Sequence, residues 1–94
     1  MSKFISRVEL NNATLNEFSL FHDTMSDLGF SQELPIENGD IYRLPRATYR
    51  IVKDVVIRDI LNLIKQALKT INKTAEIFVV KYTDSDWDGL DLKE

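Results

Sequence analysis

Cysteine is absent from this chain of 94 residues, which therefore has no disulfide, no thiolate metal site and no cysteine nucleophile. Glycine is scarce, with three residues in all. The sequence contains no glycine-rich phosphate loop, no nucleophile elbow and no paired histidines for zinc. These absences disfavour nucleotide hydrolysis and hydride transfer, and we expect no cofactor.

Long hydrophobic runs are also missing. The opening residues alternate between polar and apolar side chains and contain no stretch of the kind that a signal peptide or a membrane span requires. The lack of cysteine suits a reducing compartment. The sequence therefore predicts a cytoplasmic protein that does not associate with a membrane.

The composition is that of one globular domain. Hydrophobic residues make up 44% of the chain and charged residues 29%, and a chain of this length has no room for a second core. We predict a domain over residues 1–83, followed by an acidic tail over residues 84–94. The net charge of −3 conceals an uneven distribution: five of the six charged residues from Arg43 to Arg58 are basic, whereas five of the six in the tail are acidic.

The first part of the chain predicts a strand and a helix. Residues Phe4–Leu10 alternate in the period-two pattern of a half-buried strand. Thr14 and Glu17 have the spacing of a capping box, in which each side chain accepts a hydrogen bond from a free backbone N–H at a helix start. Apolar residues then recur every three or four positions, and Gly29 is suited to end the helix. We predict this helix over about Leu15–Leu28.

A hairpin is predicted in the middle of the chain. Phe30–Ile36 is a weaker strand, which Pro35 confines to a sheet edge. Asn38-Gly39 is the favoured pair for a tight turn in which both central residues have positive φ. The return strand is broken near its middle by Pro45 and is clearest over Ala47–Val52.

The last part of the chain predicts a second helix and a final strand. Asp54 is suited to cap a helix whose apolar residues form one stripe from Ile57 to Ile71. The strand Ala75–Tyr82 is apolar on both faces. One face should meet the helices, and the other must be covered by Trp87 and Leu90 of the tail or by another subunit.

The order of elements, βαββαβ, predicts an α+β fold of the ferredoxin-like type. Two amphipathic helices would cover one face of a four-stranded antiparallel sheet and leave the other face open. The first and third strands are neighbours in that sheet. Arg7 and Arg50 should therefore lie near each other on the open face.

A basic segment with interleaved aromatic residues is the most suggestive functional feature. Between positions 42 and 50, arginines are mixed with tyrosines, so charges that bind phosphate lie beside rings that stack on bases. The candidate contacts for single-stranded RNA are Arg7, Arg43, Arg46 and Arg50. A simpler interpretation places the tyrosines in the core and pairs Arg43, Arg46 and Arg50 with acids across the hairpin, such as Glu33, Glu37 and Asp40.

Two further motifs give no complete site. His22, the only histidine, could transfer protons, but a metal-independent ribonuclease needs a second such group and no spacing identifies one. Asp84, Asp86 and Asp88 with Gly89 match the first half of a calcium-binding loop, although a predicted strand precedes them instead of a helix. We therefore assign no catalytic residue and no metal site, and interpret the tail as solvated and partly disordered.

Three segments carry a resemblance to a known family. They are Phe4-Ile5-Ser6-Arg7-Val8-Glu9-Leu10, Met25-Ser26-Asp27-Leu28-Gly29-Phe30-Ser31 and Tyr42-Arg43-Leu44-Pro45. Together they resemble the GhoS family of small bacterial proteins, which are endoribonuclease antitoxins of type V toxin–antitoxin systems with a ferredoxin-like fold. The resemblance implies that this chain cleaves, or at least binds, the messenger RNA of a small membrane-disrupting toxin.

One departure bears on the mechanism. The CRISPR-associated nucleases with a similar fold have a metal-binding aspartate at the end of the first strand, where this chain has Glu9-Leu10-Asn11-Asn12. This difference argues against a metal-dependent nuclease mechanism. No catalytic position is carried over from the family.

The final strand supports a function of a different class. Because Ile77–Tyr82 is apolar on both sides, the alternative is a non-catalytic homodimeric protein-interaction module that uses this strand and the open sheet face as its interface. We expect a homodimer under either interpretation.

Overall fold

The strands and helices occur close to where the sequence predicts them. The computed structural model describes residues 1–94. In chain order, the elements are β1 (Ser2–Leu10), α1 (Leu15–Asp27), β2 (Glu33–Pro35), β3 (Ile41–Arg43), β4 (Thr48–Lys53), α2 (Ile57–Ile71) and β5 (Ala75–Tyr82). The predicted α+β class is confirmed. Neither helix is long and apolar enough to cross a membrane.

Three strands form the main sheet, in the order β4-β1-β5, and both pairs are antiparallel. The central strand β1 pairs with β4 over Ser2–Arg7 and with β5 over Lys3–Leu10. Strands β2 and β3 form a separate two-stranded sheet. The predicted four-stranded sheet is therefore observed as three strands and a separate hairpin.

Pro35 and Pro45 explain why the hairpin does not join the main sheet as a fourth strand. Pro35 has no N–H to donate to a neighbouring strand. The return strand is interrupted where Thr48 N–H donates to the carbonyl of Pro45 at 3.0 Å, and Ala47 has a positive φ of 68°. Strand β3 therefore does not continue into β4. One link to the main sheet remains, because the backbones of Ser31 and Arg50 exchange hydrogen bonds of 2.8 and 2.7 Å.

The turn of the hairpin is longer than the tight turn predicted. Ile36 N–H donates to the carbonyl of Asp40 at 3.0 Å, and Gly39 N–H donates to the carbonyl of Ile36 at 3.1 Å. Only Gly39 has a positive φ in this turn, of 94°. The Asn38 side chain instead accepts the N–H of Asp40 at 2.9 Å. The result is a loop over residues 37–39 that ends in glycine, which is the next most common hairpin connection.

Helix α1 begins with the predicted capping box. Thr14 Oγ1 accepts the N–H of Glu17 at 3.2 Å, and Glu17 Oε1 accepts the N–H of Thr14 at 2.9 Å. The backbone hydrogen bond from Thr14 holds the pKa of the Glu17 carboxyl below its usual value. Lys73 Nζ lies 3.2 Å from Glu17 Oε2 and adds an ion pair to the same carboxylate. Gly29 follows the helix with φ of 101°.

Helix α2 is not capped by Asp54, which corrects the sequence prediction. The N-cap residue is Val56, which has an extended backbone and makes no side-chain capping hydrogen bond. Asp54 and Val55 form a bend after β4, and Val55 packs against the core, so the helix begins beyond Asp54. The helix ends as predicted at Asn72, which has a left-handed backbone with φ of 53°.

Both helices pack against the same face of the main sheet, as predicted. The core consists of Phe4, Val8, Phe21, Met25, Phe30, Tyr49, Ile51, Ile60, Ile64, Ala67 and Leu68. The polar residue Ser6 is buried with them. Alternate positions of the strands form the opposite face, which no helix covers and which includes Ile5, Arg7, Thr48, Arg50, Phe78 and Val80.

The acidic tail has exposed side chains, but backbone hydrogen bonds position it. Arg43 N–H donates to the carbonyl of Asp91 at 2.8 Å, and Lys93 N–H donates to the carbonyl of Ile41 at 2.8 Å. The Lys93 ammonium also pairs with the Glu33 carboxylate. The end of the tail therefore lies antiparallel to β3 and forms one isolated bridge with it, between Leu92 and Tyr42.

Candidate nucleic-acid interface

Three of the four candidate arginines lie in the segment from β3 to β4, and the fourth, Arg7, lies on β1. Arg7 is opposite Thr48 and Arg50 is opposite Ile5 in the β1–β4 pair, so both side chains belong to the open face. They are diagonal neighbours, which are typically about 7–8 Å apart at the backbone. Arg43 ends β3, and Arg46 lies in the connection to β4. The expected proximity of Arg7 and Arg50 is therefore observed.

The interpretation that acids of the hairpin pair with Arg43, Arg46 and Arg50 is wrong for all three. Arg7 is paired, because its Nη2 lies 2.8 Å from Glu9 Oε1. Arg43, Arg46 and Arg50 form no ion pair. Among the acids of the hairpin, Glu33 binds Lys93 instead. Three guanidinium groups are left without a carboxylate partner.

The tyrosines of the basic segment differ in their surroundings. Tyr49 belongs to the core, and its ring meets Phe21 edge to face with centroids 6.0 Å apart. Tyr42 is half-buried, and its ring centroid lies 5.7 Å from that of Trp87. The core interpretation is therefore correct for Tyr49, whereas Tyr42 packs against the tail.

The first cleft lies between α1, the end of β1 and the start of β4, and has a volume of about 540 Å³. Its lining includes Arg46, His22, Asp23 and Tyr49. His22 Nδ1 lies 3.4 Å from the hydroxyl of Tyr49, and their ring centroids are 5.9 Å apart. Burial raises the pKa of the Tyr49 phenol, so this hydroxyl stays protonated and available for hydrogen bonding.

A second, more polar cleft adjoins the first, and its volume is about 410 Å³. His22 and Gln32 line both clefts, so the imidazole stands between them. The other polar residues of the second lining are Ser26, Ser31, Glu33 and Arg43. The only imidazole of the chain is therefore flanked by a cleft that contains Arg46 and a cleft that contains Arg43.

The third cleft lies over the open face of the main sheet, between the hairpin and the tail, and has a volume of about 480 Å³. Its floor includes Lys3, Arg50 and Tyr82, and Trp87 of the tail forms part of its wall. The sequence predicted Arg50 on this open face and Trp87 as a cover for the adjoining face of β5, but it did not single out Lys3 or Tyr82. Strand alternation could have placed Lys3 on the open face, whereas the sequence does not indicate that Trp87 lines one cleft with Arg50 and Lys3.

The aspartates of the tail do not assemble the calcium loop that their spacing partly matches. No three His, Asp or Glu side chains come together in a group that could hold a metal ion. Trp87 N–H donates to Asp86 Oδ1 at 2.9 Å, so this carboxylate is engaged by its own backbone.

Within the single chain, the tail covers only part of the second face of β5, and cover by another subunit stays a prediction. Phe78 is 68% exposed, because Trp87 reaches only the end of the strand that contains Tyr82. No strand pairs with the outer edge of β5. An exposed aromatic side chain and a free strand edge therefore lie next to each other.

Comparison with known proteins gives no match to a family model and no match to a curated protein.

Proposed function

We propose that this chain binds single-stranded RNA and acts as a GhoS-like endoribonuclease antitoxin on the messenger RNA of a toxin. The observation that carries the proposal is the set of three arginines, Arg43, Arg46 and Arg50, that lack carboxylate partners in a chain with net negative charge. A guanidinium group without an acid partner is free to bind phosphate through two parallel hydrogen bonds.

The arrangement of the clefts suits an extended strand better than a compact ligand. Each of the three arginines lines a different cleft, and the first two clefts share His22. Successive phosphates of a single-stranded chain would meet successive guanidinium groups along the β3–β4 segment. Such binding is strongly dependent on salt, with a slope of about −0.7 per neutralised phosphate in a logarithmic plot.

A ferredoxin-like ancestry of the fold is part of the proposal. The order β4-β1-β5 agrees with three of the four strands of that arrangement, and both helices cover one face. The fourth strand of such a sheet would lie beside β4, which is the side where Ser31 and Arg50 exchange backbone hydrogen bonds. On this proposal, the hairpin is a fourth strand that Pro35 and Pro45 have reduced to one bridge.

His22 is the candidate for one of the two proton-transfer groups that cleavage needs, and the second group is unassigned. Imidazole exchanges protons near neutral pH, and metal-independent cleavage of RNA needs a proton taken from the 2′-hydroxyl and a proton given to the leaving 5′ oxygen. Arg46 lines the same cleft and supplies a positive charge for the phosphorane that forms. Replacement of His22 by Gln should abolish cleavage and leave RNA binding intact.

The test is binding and cleavage of labelled single-stranded RNA, with and without magnesium, at low and moderate salt. An Arg46→Glu/Arg50→Glu variant should lose at least about tenfold in affinity at low salt. The matched control is Arg58→Glu/Lys65→Glu, which makes the same charge change at exposed positions of α2 outside all three clefts. Equal losses in both variants would show that only net charge matters, and absence of binding at low salt would refute the proposal.

The exposed edge strand β5 supports the second candidate function, a non-catalytic homodimeric interaction module. Phe78 is 68% exposed beside the free edge of β5, and a second copy would bury it. Light scattering of the wild type and of Phe78→Asp tests this proposal. If the wild type is a dimer and Phe78→Asp is a folded monomer with unchanged RNA affinity, dimerisation is separate from RNA binding. If the wild type is a monomer, the proposal of a homodimeric interaction module is refuted.

A further inference from the structure

The floor of the third cleft includes two cations, Arg50 and Lys3, and the ring of Tyr82, and no acid pairs with either cation. Arg50 Nε donates to the hydroxyl of Tyr82 at 2.9 Å. Lys3 Nζ lies 5.2 Å from the centre of the Tyr82 ring and donates to the carbonyl of Thr83 at 3.2 Å. Tyr82 therefore orients both cations, and each retains N–H groups that make no hydrogen bond within the chain. Glu37 is the one acid in the lining, and it pairs with neither cation.

The tail places an aromatic side chain over this floor. Trp87 lines the cleft, and its contact with the Tyr42 ring, tilted by 49°, supports the indole from outside the cleft. The hydrogen bonds from Arg43 and Lys93 hold the end of the tail against β3. The indole is therefore supported by Tyr42, and it remains 38% exposed.

The carboxylates of the tail are kept out of the cleft by alternation along the chain. Ser85 and Trp87 line the cleft, whereas Asp84, Asp86 and Asp88 do not. All three aspartates are exposed. The tail therefore contributes the hydroxyl of Ser85 and the indole of Trp87 to the cleft, and its aspartates lie outside the cleft.

We infer that this cleft is a nucleotide subsite, in which a base stacks on Trp87 while Arg50 and Lys3 bind the adjacent phosphate. The inference rests on the proposed RNA-binding function and assigns one nucleotide of the bound strand to a defined place. Its volume of about 480 Å³ lies within the range of about 300–1,000 Å³ that small-ligand sites occupy. Stacking on an aromatic side chain tolerates any base, so the subsite binds RNA without selecting its sequence.

Trp87 is the only tryptophan of the chain, so its fluorescence reports directly on this cleft. The probes are adenosine 5′-monophosphate, which has a base and a phosphate, and ribose 5-phosphate, which lacks the base. The nucleotide should quench the fluorescence in a saturable manner, and the sugar phosphate should not. Arg50→Gln and Lys3→Gln should each lower the affinity for the nucleotide by about tenfold. The control is Lys81→Gln, which removes a charge from β5 outside the cleft and should leave this affinity unchanged.

A second measurement separates this inference from the proposed function. The anisotropy of a labelled oligoadenylate of six nucleotides should show weaker binding by Trp87→Ala and nearly unchanged binding by Trp87→Phe, since phenylalanine retains a stacking ring. If the oligonucleotide binds but neither substitution nor Arg50→Gln alters its affinity, the subsite is refuted and RNA binding stands. If no oligonucleotide binds at low salt, the subsite and the proposed function are both refuted.

Discussion

Replacement of Ser6 by alanine should stabilise the protein. Ser6 is 1% exposed in the centre of β1, where it faces the helices between Tyr49 on one neighbouring strand and Val79 on the other. Its hydroxyl has no hydrogen-bond partner. A buried polar group without a partner costs about 1–3 kcal/mol relative to its hydrated state in the unfolded chain.

The magnitude follows from the two effects of removing this oxygen. Alanine abolishes the desolvation cost and leaves a void of about 10 Å³, which costs about 0.2–0.3 kcal/mol at the coefficient measured for core cavities. Alanine is also less favourable than serine in a strand, by a few tenths of a kcal/mol. We expect a net gain of about 1 kcal/mol, which for a domain of this size raises the melting temperature by about 4–8 °C.

Urea denaturation gives the direct measurement, because an unchanged m-value with a higher midpoint reports stability alone. Ser2→Ala is the matched control, since Ser2 lies on the same strand and the same face but is only half-buried at its start. If Ser6→Ala is less stable than the wild type by more than the control, the hydroxyl has a partner in solution and the reasoning is refuted.

Three further predictions concern α1. Thr14→Ala should lower the free energy of unfolding by about 1 kcal/mol through loss of the capping box, and an unchanged urea midpoint would contradict this. Because hydrogen bonding lowers the pKa of Glu17 in the folded state, its carboxylate stabilises the fold at neutral pH and this contribution is lost as the pH falls through that lowered pKa. Glu17→Gln should therefore show a smaller loss of stability on acidification than the wild type, and parallel curves would contradict the assignment. Gly29→Ala should lower the free energy of unfolding by at least about 1 kcal/mol, because the φ of Gly29 is 101°. The added Cβ would meet Ile51 at an ordinary 3.6 Å, so the loss comes from the backbone and not from a clash. An unchanged melting temperature would contradict this reasoning.

Periodicity predicted the main sheet and both helices because these elements each bury one face. Strand β1 alternates strictly between core and open positions, and a slip of one residue would reverse every side chain. The capping box at Thr14 was readable for a similar reason, since both partners are local and three residues apart. Local signals of this kind are complete in the sequence.

The hairpin and the tail were predicted less well because their pairing is set by contacts distant in the chain. Strands β2 and β3 have three residues each, too few for a periodic pattern. Composition alone indicated that residues 84–94 are solvated, and their side chains are mostly exposed. The hydrogen bonds from Arg43 to Asp91 and from Lys93 to Ile41 depend on main-chain groups, which every residue carries and no composition reveals.

The candidate site illustrates the same division between local and distant contacts. Arg7 and Arg50 could be placed on one face from strand alternation and the expected neighbours of β1. The third cleft could not be predicted, because Lys3, Arg50, Tyr82 and Trp87 meet there from four separate parts of the chain.

Tyr82 orients both cations, since its hydroxyl accepts a hydrogen bond from Arg50 and its ring lies beneath Lys3. The substitution Tyr82→Phe distinguishes these two contacts. That substitution removes the hydrogen bond to Arg50 and retains the ring beneath Lys3, so nucleotide affinity should fall in Tyr82→Phe but less than in Arg50→Gln. Equal losses in the two variants would mean that the Tyr82 hydroxyl, and not the free guanidinium N–H groups, accounts for the contribution of Arg50.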